Sequence, residues 1–273
     1  MLRSLKDLEQ YAVSATDGPI GSVVNFLFDD ERWITRYIVV KTGGFLNAAP
    51  QVLIAPISFR GIDWPTRHIN LALTIEKIKN SPNVDTDKPV SRQHELDHYL
   101  YYGYPYYWGV GGVAGLGAYP GMLTAGLPTR LPEEPPEKAP SDRHLRSVNE
   151  LRGYHVQGSD GAIGSVADFI VDDASWEIRY LVVDTSNWWF GKKVLVAPRW
   201  ANQVSWEARK VYVDMSRQAI KRSPEWDPTA AVNREYEARL YDYYGRPVYW
   251  AGGGRPEASQ PPPHYSSSHG VGR

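Results

Sequence analysis

The chain has 273 residues, 22 % charged and 42 % hydrophobic, with a formal net charge of -1. That is enough chain for two modest domains, and its charge balance gives no electrostatic footing on nucleic acid or an anionic membrane. The absence of cysteine excludes disulfides and thiolate metal sites and fits a cytoplasmic protein.

The opening MLRSLKDLEQ lacks the apolar run of a signal peptide. Asp17-Gly18 then supplies a turn with positive φ for a tight hairpin, and Asp29-Asp30 begins a second turn ahead of Trp33. Ile69, Leu71 and Leu73 alternate with polar neighbours, the period-two signature of a strand. Thr74 is placed to cap a short helix that must stop before Ser81-Pro82. A second helix is predicted around Gln93–Tyr102, and it runs into the aromatic stretch YLYYGYPYYW, Tyr99 to Trp108.

A stretch rich in glycine and then in proline and glutamate follows, from 109 to 143. Its composition cannot bury a core and reads as an extended linker. Gly109 to Leu127 is uncharged, but its glycines and Pro120 argue against a membrane span. Gly109-x-Gly111-x-x-Ala114 has dinucleotide-fingerprint spacing without the preceding strand and following helix that the mechanism needs.

Beyond the linker the chain repeats itself. TDGPIGSVVNFLFDDERWITRYIVVKT, Thr16 to Thr42, matches SDGAIGSVADFIVDDASWEIRYLVVDT, Ser159 to Thr185, at an offset of 143. The offset becomes 142 after a loop deletion, so that VLIAP (Val52 to Pro56) matches VLVAP (Val194 to Pro198) and Trp108 matches Trp250. The second copy has apolar runs around Val166 and Ile170, Tyr180 to Val183 and Val194 to Val196, and alternation at Val211, Val213 and Met215. A helix capped by Ser216 and one over Asn233–Tyr244 follow, the latter with a predicted stripe of Tyr236, Leu240 and Tyr243. Two repeats, 1–108 and 144–251, are therefore expected, each mainly β with short helices, ahead of a disordered tail at 252–273.

The pattern DG-x-IG-x-V-x-x-F-x-x-DD-x-x-W-x-x-RY-x-VV followed by VL-(I/V)-AP resembles the PRC-barrel family, named for the cytoplasmic domain of the photosynthetic reaction-centre H subunit. The resemblance covers both copies. It implies two closed barrels of five or six strands, with Gly18, Gly21, Trp33 and Arg36 and their counterparts Gly161, Gly164, Trp176 and Arg179 as framework positions. It also implies a docking, assembly or regulatory module and no enzyme, in the manner of a free-standing bacterial tandem PRC-barrel protein. A ribosome-maturation role and an accessory role in reaction-centre electron transfer are the alternatives that the family offers. The membrane helix of the H subunit and the separate N-terminal domain of the ribosome factor have no counterpart in this sequence.

HELDH, His94 to His98, has zinc-protease spacing, with His94 and His98 as ligands and Glu95 as base. The repeat lays them on Tyr236, Glu237 and Leu240, so the histidines are expected on a packing face and Glu95 and Glu237 in solvent, with no metal, cofactor or catalytic residue. Adjacent carboxylates such as Asp29-Asp30 point to opposite faces of a strand and cannot converge on one substrate. Trp33 and Arg36, like Trp176 and Arg179, are expected to pack across strands or in cation–π contacts. The aromatics Tyr102, Tyr104, Tyr106, Tyr107, Trp108, Tyr241, Tyr243, Tyr244, Tyr249 and Trp250 either cap a barrel end or form an interaction surface for a protein partner. Lacking a basic stripe beside them, they do not point to nucleic acid. The two copies are also candidates for a pseudo-dimer within one chain or a homodimer, located in the cytoplasm and reaching a membrane only through a partner.

Overall fold

Asp-Gly and Asp-Asp turns, spaced about a strand apart, fold each repeat into a succession of antiparallel hairpins. The computed structural model describes residues 1–43, 51–82, 90, 92–104, 145–185 and 192–250. The linker, the tail, the dinucleotide-like glycine stretch and Tyr106, Tyr107 and Trp108 lie outside the described residues.

Repeat one begins with a three-residue strand β1 (Leu2–Ser4) and a single-turn helix α1 (Leu5–Leu8), whose first turn is capped by the Ser4 hydroxyl accepting from the Asp7 amide. Strands β2 (Ala12–Ala15), β3 (Gly18–Asp29), β4 (Ile34–Thr42), β5 (Gln51–Ile54), β6 (Phe59–Asp63) and β7 (His68–Leu71) follow, then helices α2 (Ile75–Lys79) and α3 (Arg92–Tyr102). Repeat two replays this order as β8 (Leu145–Ser147), α4 (Val148–Leu151), β9 (His155–Gly158), β10 (Gly161–Asp172), β11 (Ile178–Asp184), β12 (Lys193–Val196), β13 (Ala201–Ser205), β14 (Lys210–Val213), α5 (Arg217–Arg222) and α6 (Arg234–Tyr243). Thr74 and Ser216 cap α2 and α5, and Asn233 caps α6, each by accepting the amide three residues on.

The two sheets have one topology, β5-β4-β3-β2-β7-β6 and β12-β11-β10-β9-β14-β13. The last strand returns parallel to the first hairpin, β7 beside β2 and β14 beside β9. The closed ladder implied by the family resemblance is not what the described residues form. Among them no pairing joins β5 to β6 or β12 to β13. A 3-10 turn (Pro56–Ser58 or Pro198–Trp200) makes that corner instead, and its Ser58 or Trp200 carbonyl accepts from Ala72 or Asp214. Inward-facing Val23, Phe26, Ile38, Val40, Ile54, Ile69 and Leu71, with Val166, Phe169, Leu181, Val183, Val196, Val211 and Val213, fill the core.

Each sheet gains its seventh strand from the other repeat. β1 runs antiparallel to β10, with Leu2 opposite Asp172 and Ser4 opposite Ile170. β8 does the same to β3, with Leu145 opposite Asp29 and Ser147 opposite Leu27. These pairings are counterparts under the 143-residue offset, so the exchange is reciprocal about a pseudo-twofold axis. Among the described residues two contacts join a residue to its own counterpart and so mark that axis: the antiparallel bridge between Ile34 and Glu177, and the ion pair between Glu9 and Arg152. Beside the bridge the Thr35 amide donates to the Trp176 carbonyl at 2.8 Å and the Ile178 amide to the Trp33 carbonyl at 2.7 Å.

The exchange is apolar as well as hydrogen-bonded. Leu5 and Leu8 of α1 and Val148 and Leu151 of α4 are fully buried in a core continuous across both sheets. Burial of each contributes roughly 1.5–3 kcal/mol. The arginine of each exchanged strand is held from two sides: Arg3 lies 4.1 Å from the Trp64 ring and pairs with Asp173, while Arg146 lies 4.2 Å from the Trp206 ring and pairs with Asp30. Asp29 and Asp30 diverge as strand geometry requires. Asp29 caps its own turn and binds Arg36 of its own repeat, whereas Asp30 binds across to Arg146. Trp33 and Trp176 sit at φ 58° and 60°, an αL position that ends the turn and aims their carbonyls at the partner repeat.

Candidate functional site

The helix that carries HELDH is the place to look for chemistry, and its twin shows what that face does. In α6 the buried residues are Glu237, Leu240 and Tyr241, while Tyr243 is 40 % exposed. In α3 they are Glu95, Leu96, His98, Tyr99 and Tyr102. The packing stripe is therefore rotated from the one predicted through Tyr236, Leu240 and Tyr243. His94 lies on the solvent side, Tyr236 is half-buried, and the acid of the motif faces inward. Glu95 and Glu237, expected in solvent, are each 2 % exposed.

The buried acid of repeat two is held by three donors. The Glu237 Oε1 accepts from the hydroxyls of Tyr180 at 2.7 Å and Tyr249 at 2.8 Å, and its Oε2 pairs with Arg234 at 3.1 Å. Tyr180 comes from the core of β11 and Tyr249 from the aromatic segment after α6. The carboxylate thus ties sheet, helix and segment together. Burial, with Tyr241 and Glu237 nearby, pushes the Tyr180 hydroxyl well above its ordinary range, so Tyr180 acts as a donor and not as a phenolate. Arg179 joins the same assembly. It pairs with Glu177 at 2.5 Å, and its guanidinium lies 4.2 Å from the Tyr249 ring centroid. Its counterpart Arg36 is buried against Asp29 at 3.2 Å.

His98, the second histidine of the motif, is a core residue. Its Nε2–H donates to the Leu53 carbonyl at 3.0 Å, and its Nδ1 has no hydrogen-bond partner among the described residues. The ring packs edge-on against Tyr37 at 5.0 Å and tilted against Tyr102 at 4.7 Å. Among the described residues no three His, Asp or Glu side chains gather as a metal ion would require. Burial lowers the imidazole from 6.5 to about 4, with the Leu53 hydrogen bond opposing. The fold therefore favours neutral His98. That stability is complete above pH 6.5 and is lost as pH falls toward 4, by about 3 kcal/mol in all. Repeat two carries Leu240 at this position, so His98→Leu is expected to remove the step. Urea unfolding at pH 7 and pH 4.5 should show the acid-induced loss shrinking by roughly 2–3 kcal/mol relative to the parent. An unchanged loss would show that His98 is not its source.

The aromatic residues pack mainly on their own repeat. Tyr102 stacks on Tyr104 at 5.3 Å, and the Tyr104 hydroxyl meets Ser58. In repeat two Trp200 stands where Ser58 does, and it contacts Tyr241 and Tyr244, each at 5.1 Å. Tyr249 and Trp250 lie edge-on to each other at 4.9 Å and pack against Tyr241. Tyr101 and Tyr243 are equivalent. Each hydroxyl donates to a carbonyl of the preceding short helix, Lys77 or Ala219, and so fixes the angle between the two helices. Leu100 and Tyr243 are left as large apolar groups open to solvent on the outer helix surfaces, at 48 % and 40 % exposure.

Sequence reasoning missed three features: the exchange, the burial of the acid, and the heterotypic ion pair at the axis. The last was open to inspection, because Glu9 and Arg152 are counterparts with opposite charge.

Among the described residues no helix is long and apolar enough to cross a membrane. No curated protein matches the chain. Residues 144–219, which run from the edge of the exchanged strand β8 into α5, match the family model of the PRC-barrel domain.

Proposed function

We propose that the chain is a tandem PRC-barrel protein without catalytic activity, working in the cytoplasm as an interaction or assembly module for a protein partner. One observation carries this reading: among the described residues, buried Glu237, Asp29 and His98 are engaged by the fold itself. Glu237 is taken by Tyr180, Tyr249 and Arg234, Asp29 by Arg36, and His98 by the Leu53 carbonyl. The carboxylates bonded this way stabilise the fold, and His98, whose Nδ1 has no hydrogen-bond partner among the described residues, is enclosed in the core at 2 % exposure, out of reach of a substrate. What the molecule offers outward is shape: two related heads held at a fixed angle by the exchange, with Tyr243 and Leu100 on their outer helices.

Affinity purification of the full chain from its native host, with and without Tyr243→Asp, tests the reading. The expected result is one protein recovered reproducibly in near-stoichiometric amount with the parent and depleted with the variant. Salt-sensitive co-sedimentation with ribosomal subunits, or turnover of a small-molecule substrate, would overturn it.

A further inference from the structure

We infer that the interface between the repeats is built to be heterotypic, so that repeat one recognises repeat two and rejects a second copy of itself. A twofold interface places the residue nearest the axis opposite its own counterpart. Here those positions are 9 and 152, and they carry Glu9 and Arg152, joined by an ion pair. Both side chains are largely buried, 21 % and 20 % exposed, so the pairing is less screened than at a free surface. A pair of first repeats would set Glu9 against Glu9. A pair of second repeats would set Arg152 against Arg152 and, at the other axial contact, Glu177 against Glu177. Like charges at such positions act against the wrong pairing.

The surroundings follow the same charge logic. Asp168 of repeat two lies 3.6 Å from Arg152 while accepting from the Ser4 hydroxyl and the Lys6 amide of the exchanged segment. Its counterpart, on the side of Glu9, is the uncharged Asn25. It keeps the geometry by donating to the Ser147 hydroxyl at 2.8 Å and accepting from the Asn149 amide at 3.3 Å. An aspartate there would add a second negative charge on the side of Glu9. The acid thus appears only on the side that carries arginine, while the backbone contact of the exchange is the same on both and the hydroxyl contact reverses its direction.

The test uses the whole chain with a protease site placed within 109–143, cleaved after folding, and native mass spectrometry across a dilution series. The parent halves are expected to remain a 1:1 pair of unlike halves. In an Asp168→Asn background, which takes away the acid beside Arg152 and leaves the amide that repeat one has at position 25, Glu9→Arg and Arg152→Glu should each raise the dissociation constant of the halves about tenfold or more, and Glu9→Arg combined with Arg152→Glu should recover most of that loss. Recovery in the double variant also shows that the single variants fold. The inference fails if the parent halves re-sort into like pairs, or if the double variant is as weak as the two single effects added.

Discussion

Replacing Glu237 by leucine is expected to destabilise the protein by about 3–5 kcal/mol, the cost of breaking a buried, hydrogen-bonded charge assembly. The Tyr180 hydroxyl, in a fully buried side chain, would lose its acceptor, as would Tyr249. Each stranded donor costs about 1–3 kcal/mol. Arg234 would suffer little, because its side chain is 56 % exposed and can turn to water. Glu237→Gln keeps an oxygen for the tyrosines and should cost less than half as much. Urea midpoints for the two variants check this. Equal small shifts would mean that the carboxylate is not what holds α6 and the aromatic segment on the sheet.

The second large effect belongs to Gly164, and equally to Gly21. An added Cβ at Gly164 would lie 2.1 Å from the Asp184 carbonyl oxygen, and at Gly21 1.9 Å from that of Lys41. Both atoms are backbone of the neighbouring strand, which cannot swing aside as a side chain can. Gly21 and Gly164 also sit where the pairing with the preceding strand shifts register, so they allow the strands to approach closely at the bulge. Gly164→Ala is expected to cost about 3 kcal/mol, lowering the melting temperature by roughly 6–12 °C. Gly61, whose added Cβ meets nothing within 4 Å, supplies the control, and Gly61→Ala should be near neutral. A Gly164→Ala variant that melts with the parent would refute the close approach.

Much of this architecture was legible because the repeat let each copy check the other. Asp17-Gly18 and Asp160-Gly161 both open a β-hairpin, and the alternation at Ile69, Leu71 and Leu73 is the buried face of β7 and the residues after it. The helix caps at Thr74 and Ser216 were readable from their place before an apolar turn and a proline stop. What escaped was non-local. Leu2–Ser4 and Leu145–Ser147 are only three residues each, too short for a period, and nothing in a local pattern says which sheet a strand will join. The orientation of α6 was missed for a related reason. A glutamate reads as a surface residue, and its burial is made favourable by the donors that gather on it, the hydroxyls of Tyr180 and Tyr249 and the guanidinium of Arg234.

The reciprocal exchange is the central structural claim, and an engineered disulfide tests it most directly, because the native chain has no cysteine to interfere. Directly opposed residues of an antiparallel pair have Cα separations of about 4.5–5.5 Å, within the reach of a disulfide. Leu2→Cys with Asp172→Cys should therefore oxidise within a single chain under mild conditions, since these residues are partners across β1 and β10. Leu2→Cys with Asp29→Cys, the pairing that β1 would make if it stayed on its own repeat, should remain reduced. Ready bridging of the second pair within one chain, or of the first only between chains, would contradict the exchange.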